Sequence, residues 1–248
     1  MCSRRSSPAR RTRGVAPWRG RTSMSLPSRR VVVTGAGSGI GLAVAELLEA
    51  TGTEVVRLDR SGESGSTEFD VTDEPSWAAL SAVGVTGLVH AAGIRSRAPL
   101  AETSLADFRR VLDVNTTGTF LALRWAARNA HAALSVVTIS SAVIDRRVEH
   151  QPGYNASKAA VAALTRSAAR ELAPLGTRVN AIAPGSILTP MTAAGWDDAA
   201  HAERMRTEIP LGRAGTAADI AAAAAFLLSD ASAYTTGTIL TVDGGWTS

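Results

Sequence analysis

From residue 30 onward, short β-branched runs alternate with longer stretches whose apolar residues recur at helical spacing. Val31, Val32 and Val33 run straight into glycines, apolar on both faces, which predicts a buried parallel strand over 30–34. Residues 40–50 carry a helical period that Thr51 and Gly52 end, and 54–58 reads as the next strand. A further helix is due there, yet 60–68 is polar and holds Gly62 and Gly65, so a loop is expected. A short strand at 68–70, a helix at 74–82 and a strand at 87–90 follow. Residues 105–129 are long enough for one continuous helix, with Asn115 in its middle and Gly118 about a turn later. The pattern then predicts a strand at 135–140, a helix at 154–172 stopped by Pro174, and a strand at 178–183 stopped by Pro184. An alanine-rich helix at 217–228 and a last strand at 238–242 complete it. Such alternation predicts a doubly wound three-layer α/β/α sandwich around a mainly parallel sheet, one unit over 26–248 without internal repeats.

Composition narrows the picture. The 248 residues are 45% hydrophobic, enough for one sizeable core, but no apolar run reaches the roughly 18 residues that span a bilayer. Cys2 is the only cysteine, which excludes an internal disulfide framework and a multi-cysteine metal site; no metal and a cytoplasmic setting are expected. The net charge of +4 suggests nucleic acid until its distribution is read. Residues 1–23 hold seven arginines and no acid, more than the whole net charge, so the remainder is net acidic and no nucleic-acid partner is expected. Residues 1–25, rich in Arg, Ser, Pro and Gly, read as a disordered tail. They lack the apolar segment of a secretory signal; an organellar transit segment and a start at Met24 are the two alternatives.

Candidate chemistry begins where the first strand enters the first helix. Gly35, Gly37, Ser38, Gly39, Ile40 and Gly41 form a glycine-rich turn whose unpaired N–H groups at the helix start suit pyrophosphate oxygens. Asp59 stands eighteen residues after Gly41 at the end of the second strand, placed to accept from both adenosine ribose hydroxyls. A 2′-phosphate would meet its charge, only Arg60 can compensate, and NAD rather than NADP is therefore the expected cofactor.

Tyr154 and Lys158 are one helical turn apart and share a face. An ammonium beside a phenol favours the phenolate; a fall of two or three pH units from the usual value near 10 needs roughly 3 to 4 kcal/mol. Ser141 follows a strand, on the sheet edge where such folds bind ligands, with a hydroxyl that can donate to a carbonyl or developing alkoxide. Asn115 competes for backbone bonds inside a helix, so it either fixes a local distortion or supports a water that passes protons toward Lys158.

Together these residues resemble the short-chain dehydrogenase/reductase family from about Arg30 to Ser248. The likeness rests on Thr34 to Gly41, Asp70-Val71, Asn115, Ser141, Tyr154-Asn155-Ala156-Ser157-Lys158, Pro184-Gly185 and Asp243-Gly244-Gly245. The resemblance implies a Rossmann fold and a homotetramer or homodimer paired through 105–129 and 154–172. In its terms Tyr154 is the acid/base, Ser141 polarises the substrate, Lys158 binds the nicotinamide ribose and lowers the tyrosine pKa, and Asn115 supports a proton-relay water. It further implies that Asp70 and Val71 contact adenine, that Ala91, Ala92 and Gly93 border the cofactor, and that 184–189 passes the nicotinamide, with Ile187 and Thr189 at its carboxamide.

Two departures stand out. His90 replaces the asparagine that opens the family's Asn-Ala-Ala-Gly segment, a structural substitution in a sheet-bridging place. The missing helix after Asp59 is similar to dehydrogenases of cyclic dihydrodiols, in which Arg95 or Arg97 would meet a substrate carboxylate.

The implied activity is hydride transfer between NAD and a secondary alcohol or ketone, with Ile94, Arg95, Val143, His150, Met191 and Trp196 in the substrate pocket. Arg146 and Arg147 add polar candidates beside His150, and 186–210 reads as a lid. A nucleotide-binding regulatory or structural protein with little turnover is the alternative; the intact Ser141, Tyr154 and Lys158 set argues against it.

Overall fold

The structure, a computed structural model, describes residues 29–146 and 148–248. The expectations placed on the tail, on Met24 and on Arg147 lie outside those residues. Nine strands follow in chain order: β1 (Arg30–Thr34), β2 (Glu54–Asp59), β3 (Thr67–Glu68), β4 (Val85–His90), β5 (Ser135–Ile139), β6 (Arg178–Pro184), β7 (Ile187–Leu188), β8 (Gly215–Thr216) and β9 (Ile239–Val242) among the described residues. Between them run α1 (Gly39–Ala50), α2 (Glu74–Ala79), α3 (Leu105–Leu112), α4 (Gly118–Arg128), α5 (Pro152–Leu172), α6 (Ala193–Asp197), α7 (Ala199–Glu208) and α8 (Ala217–Leu228).

Seven strands form one sheet in the order β3-β2-β1-β4-β5-β6-β9, every pair parallel. Covered on both faces, it divides the core in two. Val32, Leu88, Val136 and Val179 pack against α4 and α5 through Leu121, Trp125, Ala169 and Leu172. Val31, Val33, Val89, Val137 and Ile182 pack against α1 and α8 through Val44, Leu48, Ile220 and Leu227. The period of two thus sends successive valines of one strand into opposite cores, each burial removing apolar surface worth roughly 1.5 kcal/mol or more. The result is the three-layer α/β/α sandwich that the pattern predicts.

Strand order reverses at β1 and β4, and their carboxyl ends open the crevice where such sheets bind ligands. His90 ends β4 opposite Thr34 of β1 and is 2% exposed. Its Nδ1 and Thr34 Oγ1 are 2.9 Å apart, a bond between two neighbouring strands, while its buried Nε2 has no partner among the described residues. Burial, with the charge of Lys158 nearby, holds its pKa down to about 3, so the ring is neutral at ordinary pH.

The continuous helix expected over 105–129 is broken. Residues 113–117 form a π turn between α3 and α4. Adding a residue per turn swings Asn115 inward, where it is 1% exposed. Gly118 follows because α4 rests on Val71: a Cβ there would lie 3.0 Å from Val71 Cγ2. Residues 60–66 make no helix, as their glycines foretell. The two-stranded pair of β7 and β8 closes the base of an excursion that carries α6 and α7. None of the described helices is long and apolar enough to cross a membrane.

Candidate active site

Ser141 leaves β5 and caps a short 3-10 turn, its Oγ accepting from Val143 N at 3.4 Å. Pro152 starts α5 two residues before Tyr154, fixing where the helix begins and therefore where the phenol stands. The Ser141 hydroxyl stands near enough to that phenol to favour its phenolate form. Lys158, 5% exposed, lies one turn along, with Nζ 5.6 Å from the centre of the Tyr154 ring and donating to Ile139 O at 2.8 Å. Asn115 binds the main chain of Ile94 twice: Oδ1 accepts from Ile94 N at 2.8 Å, and Nδ2 donates to Ile94 O at 2.9 Å. Nδ2 also donates to Ser157 Oγ at 2.9 Å, and Ser157 in turn donates to Tyr154 O at 2.8 Å. Sequence reasoning missed Ser157 as the link between Asn115 and the start of α5; its position between Tyr154 and Lys158 was the available signal.

Burial raises the Tyr154 pKa, opposed by the Ser141 hydroxyl and the charge of Arg95. Burial likewise brings Lys158 down from 10.5 to about 8. The ammonium lies beside the ring and is spent on the Ile139 carbonyl, so desolvation outweighs mutual stabilisation.

Ser141, Tyr154, Lys158, Ile40, Ala91, Gly93, Pro184, Gly185, Ile187, Thr189 and Met191 line one small cavity. It adjoins a larger one of about 750 Å³. Five of the six expected substrate-pocket residues line the larger cavity: Arg95, Val143, His150, Met191 and Trp196. Ile94 does not, because the two bonds to Asn115 turn its backbone to a supporting task. Within 186–210, where a lid is expected, Trp196, His201, Arg204, Met205 and Glu208 of α6 and α7 line this cavity, and Trp196 Nε1 donates to Ser186 Oγ at 3.1 Å. Trp246 was missed, since it reaches the wall from the C-terminal strand's turn, far away in sequence. Ala92 lines neither cavity; its N–H faces Thr34 Oγ1 at 3.5 Å.

The glycine turn is close-packed. A Cβ on Gly35 would lie 2.7 Å from Ala92 N, one on Gly37 2.8 Å from Asp59 Cγ, and one on Gly41 2.1 Å from Gly35 O. Ser38 opens α1 without a side-chain cap, and no acid stands in the first turn, so its leading N–H groups stay available to an anion. Asp59 Oδ2 accepts from Gly37 N at 3.0 Å; its Oδ1 accepts from Ser61 N at 3.0 Å and Ser61 Oγ at 2.9 Å. Burial opposes ionisation of Asp59, but those bonds and the charge of Arg60 prevail and its pKa is lowered. Asp70 Oδ1 accepts from Thr72 N and Oγ1, each at 2.8 Å, and Val71 is buried against Gly118.

A family model described as enoyl-(acyl carrier protein) reductase matches residues 35–247. Galactitol 2-dehydrogenase (L-tagatose-forming) of Cereibacter sphaeroides is 38% identical over 92% of this chain and 98% of its own. Cis-4-hydroxycyclohexanecarboxylate dehydrogenase of Sinomonas cyclohexanicum is 40% identical over 90% of this chain and 98% of its own. The solved structure of a proposed 2-deoxy-D-gluconate 3-dehydrogenase from Agrobacterium tumefaciens, with NADP bound, has a TM-score of 0.83 at 39% identity, covering 90% of this chain and 98% of that one.

The chain belongs to the short-chain dehydrogenase/reductase family. It is an NAD(P)-linked oxidoreductase acting on an alcohol/ketone pair. The expected preference for NAD over NADP is overturned. Besides the Agrobacterium protein, a proposed NAD(P)-dependent gluconate 5-dehydrogenase from Beutenbergia cavernae also holds NADP; it has a TM-score of 0.83 at 36% identity and covers 90% of this chain and 98% of that one. Physically, the Asp59 carboxylate is already bound to Gly37 and Ser61, and Arg60 beside it supplies positive charge, so Asp59 alone does not bar a 2′-phosphate. The residues fit a nicotinamide dinucleotide: an uncapped helix start over a glycine turn, and beyond it a cavity edged by Gly93, Lys158 and Thr189.

Proposed function

We propose that this protein oxidises a secondary hydroxyl borne on a small ring, or reduces the corresponding ketone, with Tyr154 as acid/base. The observation that carries the reading is the convergence of Ser141, Tyr154 and Lys158 on one cavity, next to a larger space about the size of a small-molecule site. Gly35, Gly37, Ser38, Gly39, Ile40 and Gly41 would hold the pyrophosphate, Asp59, Asp70 and Val71 the adenosine, and Pro184 to Thr189 with Lys158 the nicotinamide ribose and ring. When bound, the dinucleotide accepts or supplies the hydride.

In oxidation, Tyr154 Oη takes the substrate's hydroxyl proton while the carbon–oxygen bond becomes a carbonyl; reduction returns that proton. Ser141 Oγ donates to the same oxygen and holds it against the phenol. Asn115 and Ser157 fix the first turn of α5, and through it the phenol. The positive charge of Arg95 favours the phenolate against the cost of burial. Ring-borne substrates are favoured by the apolar lid residues Met191, Trp196 and Met205 and by the relative named for a hydroxycyclohexanecarboxylate.

Residues 26–248 act in this reading as one unit in the cytoplasm, without a nucleic-acid partner. They assemble as a homotetramer or homodimer through α4 and α5. Ala156, Ala159 and Ala163 support that pairing, being exposed along one face of α5, whereas Ala126 is buried within the chain. Tyr154→Phe tests the assignment: turnover should fall by at least about a hundredfold with dinucleotide affinity retained. A variant as fast as the wild type would exclude Tyr154 as the acid/base.

A further inference from the structure

The larger cavity is unevenly charged. Arg146 and Arg204 on its wall are answered by Glu208, at 2.8 and 3.8 Å, and Glu208 also accepts from Trp246 Nε1 at 3.2 Å. Arg95 has no such answer. It is partly buried, makes no ion pair among the described residues, and its guanidinium has one hydrogen bond there, from Nη2 to Met191 O at 2.5 Å. Arg97 beside it is exposed and adds like charge, while Glu149 at the rim is exposed and pairs with neither. A guanidinium has five N–H donors in a planar fork, so most of this one is unused at the wall of a cavity.

The backbone that carries Arg95 is held on both sides. Ile94 is bound twice by Asn115, and Ala98 N donates to His150 O at 2.8 Å. Arg95 and Tyr154 line the same cavity, close enough that the arginine's charge favours the phenolate. A desolvated cation without a counter-ion is costly to keep, and a planar fork matches a carboxylate through two parallel bonds.

We propose that Arg95 is the specificity-determining residue of this site and that the substrate is a hydroxy acid whose carboxylate it binds while the hydroxyl faces Tyr154. The inference rests on the reading of Tyr154 as acid/base and names the class of molecule presented to it. Neutral polyols and sterols would leave the guanidinium unpaired.

The test compares matched probes, cis-4-hydroxycyclohexanecarboxylate and its carboxamide, by kcat/KM with either dinucleotide. The wild type should prefer the carboxylate by roughly ten- to hundredfold, the usual worth of a hydrogen bond to a charged group. Arg95→Gln should collapse that ratio toward one, and Arg95→Lys should keep part of it. A wild type indifferent to the charge, or a ratio unchanged in Arg95→Gln, would overturn the proposal. Binding of cyclohexanecarboxylate against cyclohexanecarboxamide to the dinucleotide-saturated wild type, by calorimetry, needs neither turnover nor a folded variant. Equal affinities there overturn the proposal as well. If neither hydroxy probe nor any neutral alcohol turns over but the carboxylate still binds selectively, Arg95 stands and the reading of Tyr154 falls.

Discussion

Replacing Lys158 by methionine should make the free protein less dependent on pH while removing its activity. Lys158 is 5% exposed, and burial brings its pKa from 10.5 to about 8. The folded value is the depressed one, so between the two values the unfolded chain binds more protons and stability rises with pH. The contribution is fully present above about 10.5 and is lost as the pH falls through about 8. At about 1.4 kcal/mol per tenfold change, the buried ammonium costs the folded state roughly 3 kcal/mol at pH 7 and only about 1.4 kcal/mol at pH 9.5. Methionine removes that cost but forfeits the bond to Ile139 O, which returns roughly 1 to 3 kcal/mol. Absolute stabilities at pH 7 therefore lie close together, and the pH dependence carries the test. Urea unfolding at pH 7 and 9.5 should show the wild type gaining roughly 2 kcal/mol on Lys158→Met. A difference that stays flat, or that moves against the wild type, would refute a buried, depressed ammonium.

Two further changes probe the ends of β1, β2 and β4. His90 is buried and neutral with its pKa held down to about 3, so its share of stability is present above about 6.5 and lost as the pH falls through about 3. His90→Asn has no imidazole to protonate and should move the midpoint of acid unfolding to lower pH; far-UV circular dichroism down to pH 2.5 would expose an unchanged midpoint. Gly37→Ala puts a Cβ 2.8 Å from Asp59 Cγ and should displace the carboxylate that accepts from Gly37 N. Fluorescence titration should then find NADH and NADPH bound at least about tenfold more weakly, equivalent to about 1.4 kcal/mol, and undiminished binding would show that the turn tolerates the methyl group.

What could be read from the chain was whatever depends on neighbours in sequence. The valine run of β1, the glycine turn and the pair at Tyr154 and Lys158 each define local geometry, and the sheet order follows once strands and helices alternate. Of the π turn at 113–117 only a local distortion at Asn115 was legible, as one of two readings. Its cause is three-dimensional: Asn115 is drawn in by the main chain of Ile94 and by Ser157, neither of which its own helix announces. Helices α6 and α7 were only hinted at, because α6 has five residues and their place depends on the β7 and β8 pair closing the excursion at its base.

Desolvation escaped the sequence for the same reason. A lysine four residues from a tyrosine reads as an ammonium ready to stabilise a phenolate. Yet burial raises the phenol and lowers the amine. A charge that favours the phenolate belongs to Arg95, on a loop 59 residues earlier. Asn115 pins Ile94, the residue beside Arg95. The distortion in the long helix and the electrostatics of the tyrosine are therefore one arrangement: the residue that breaks the helix holds the loop that carries the charge.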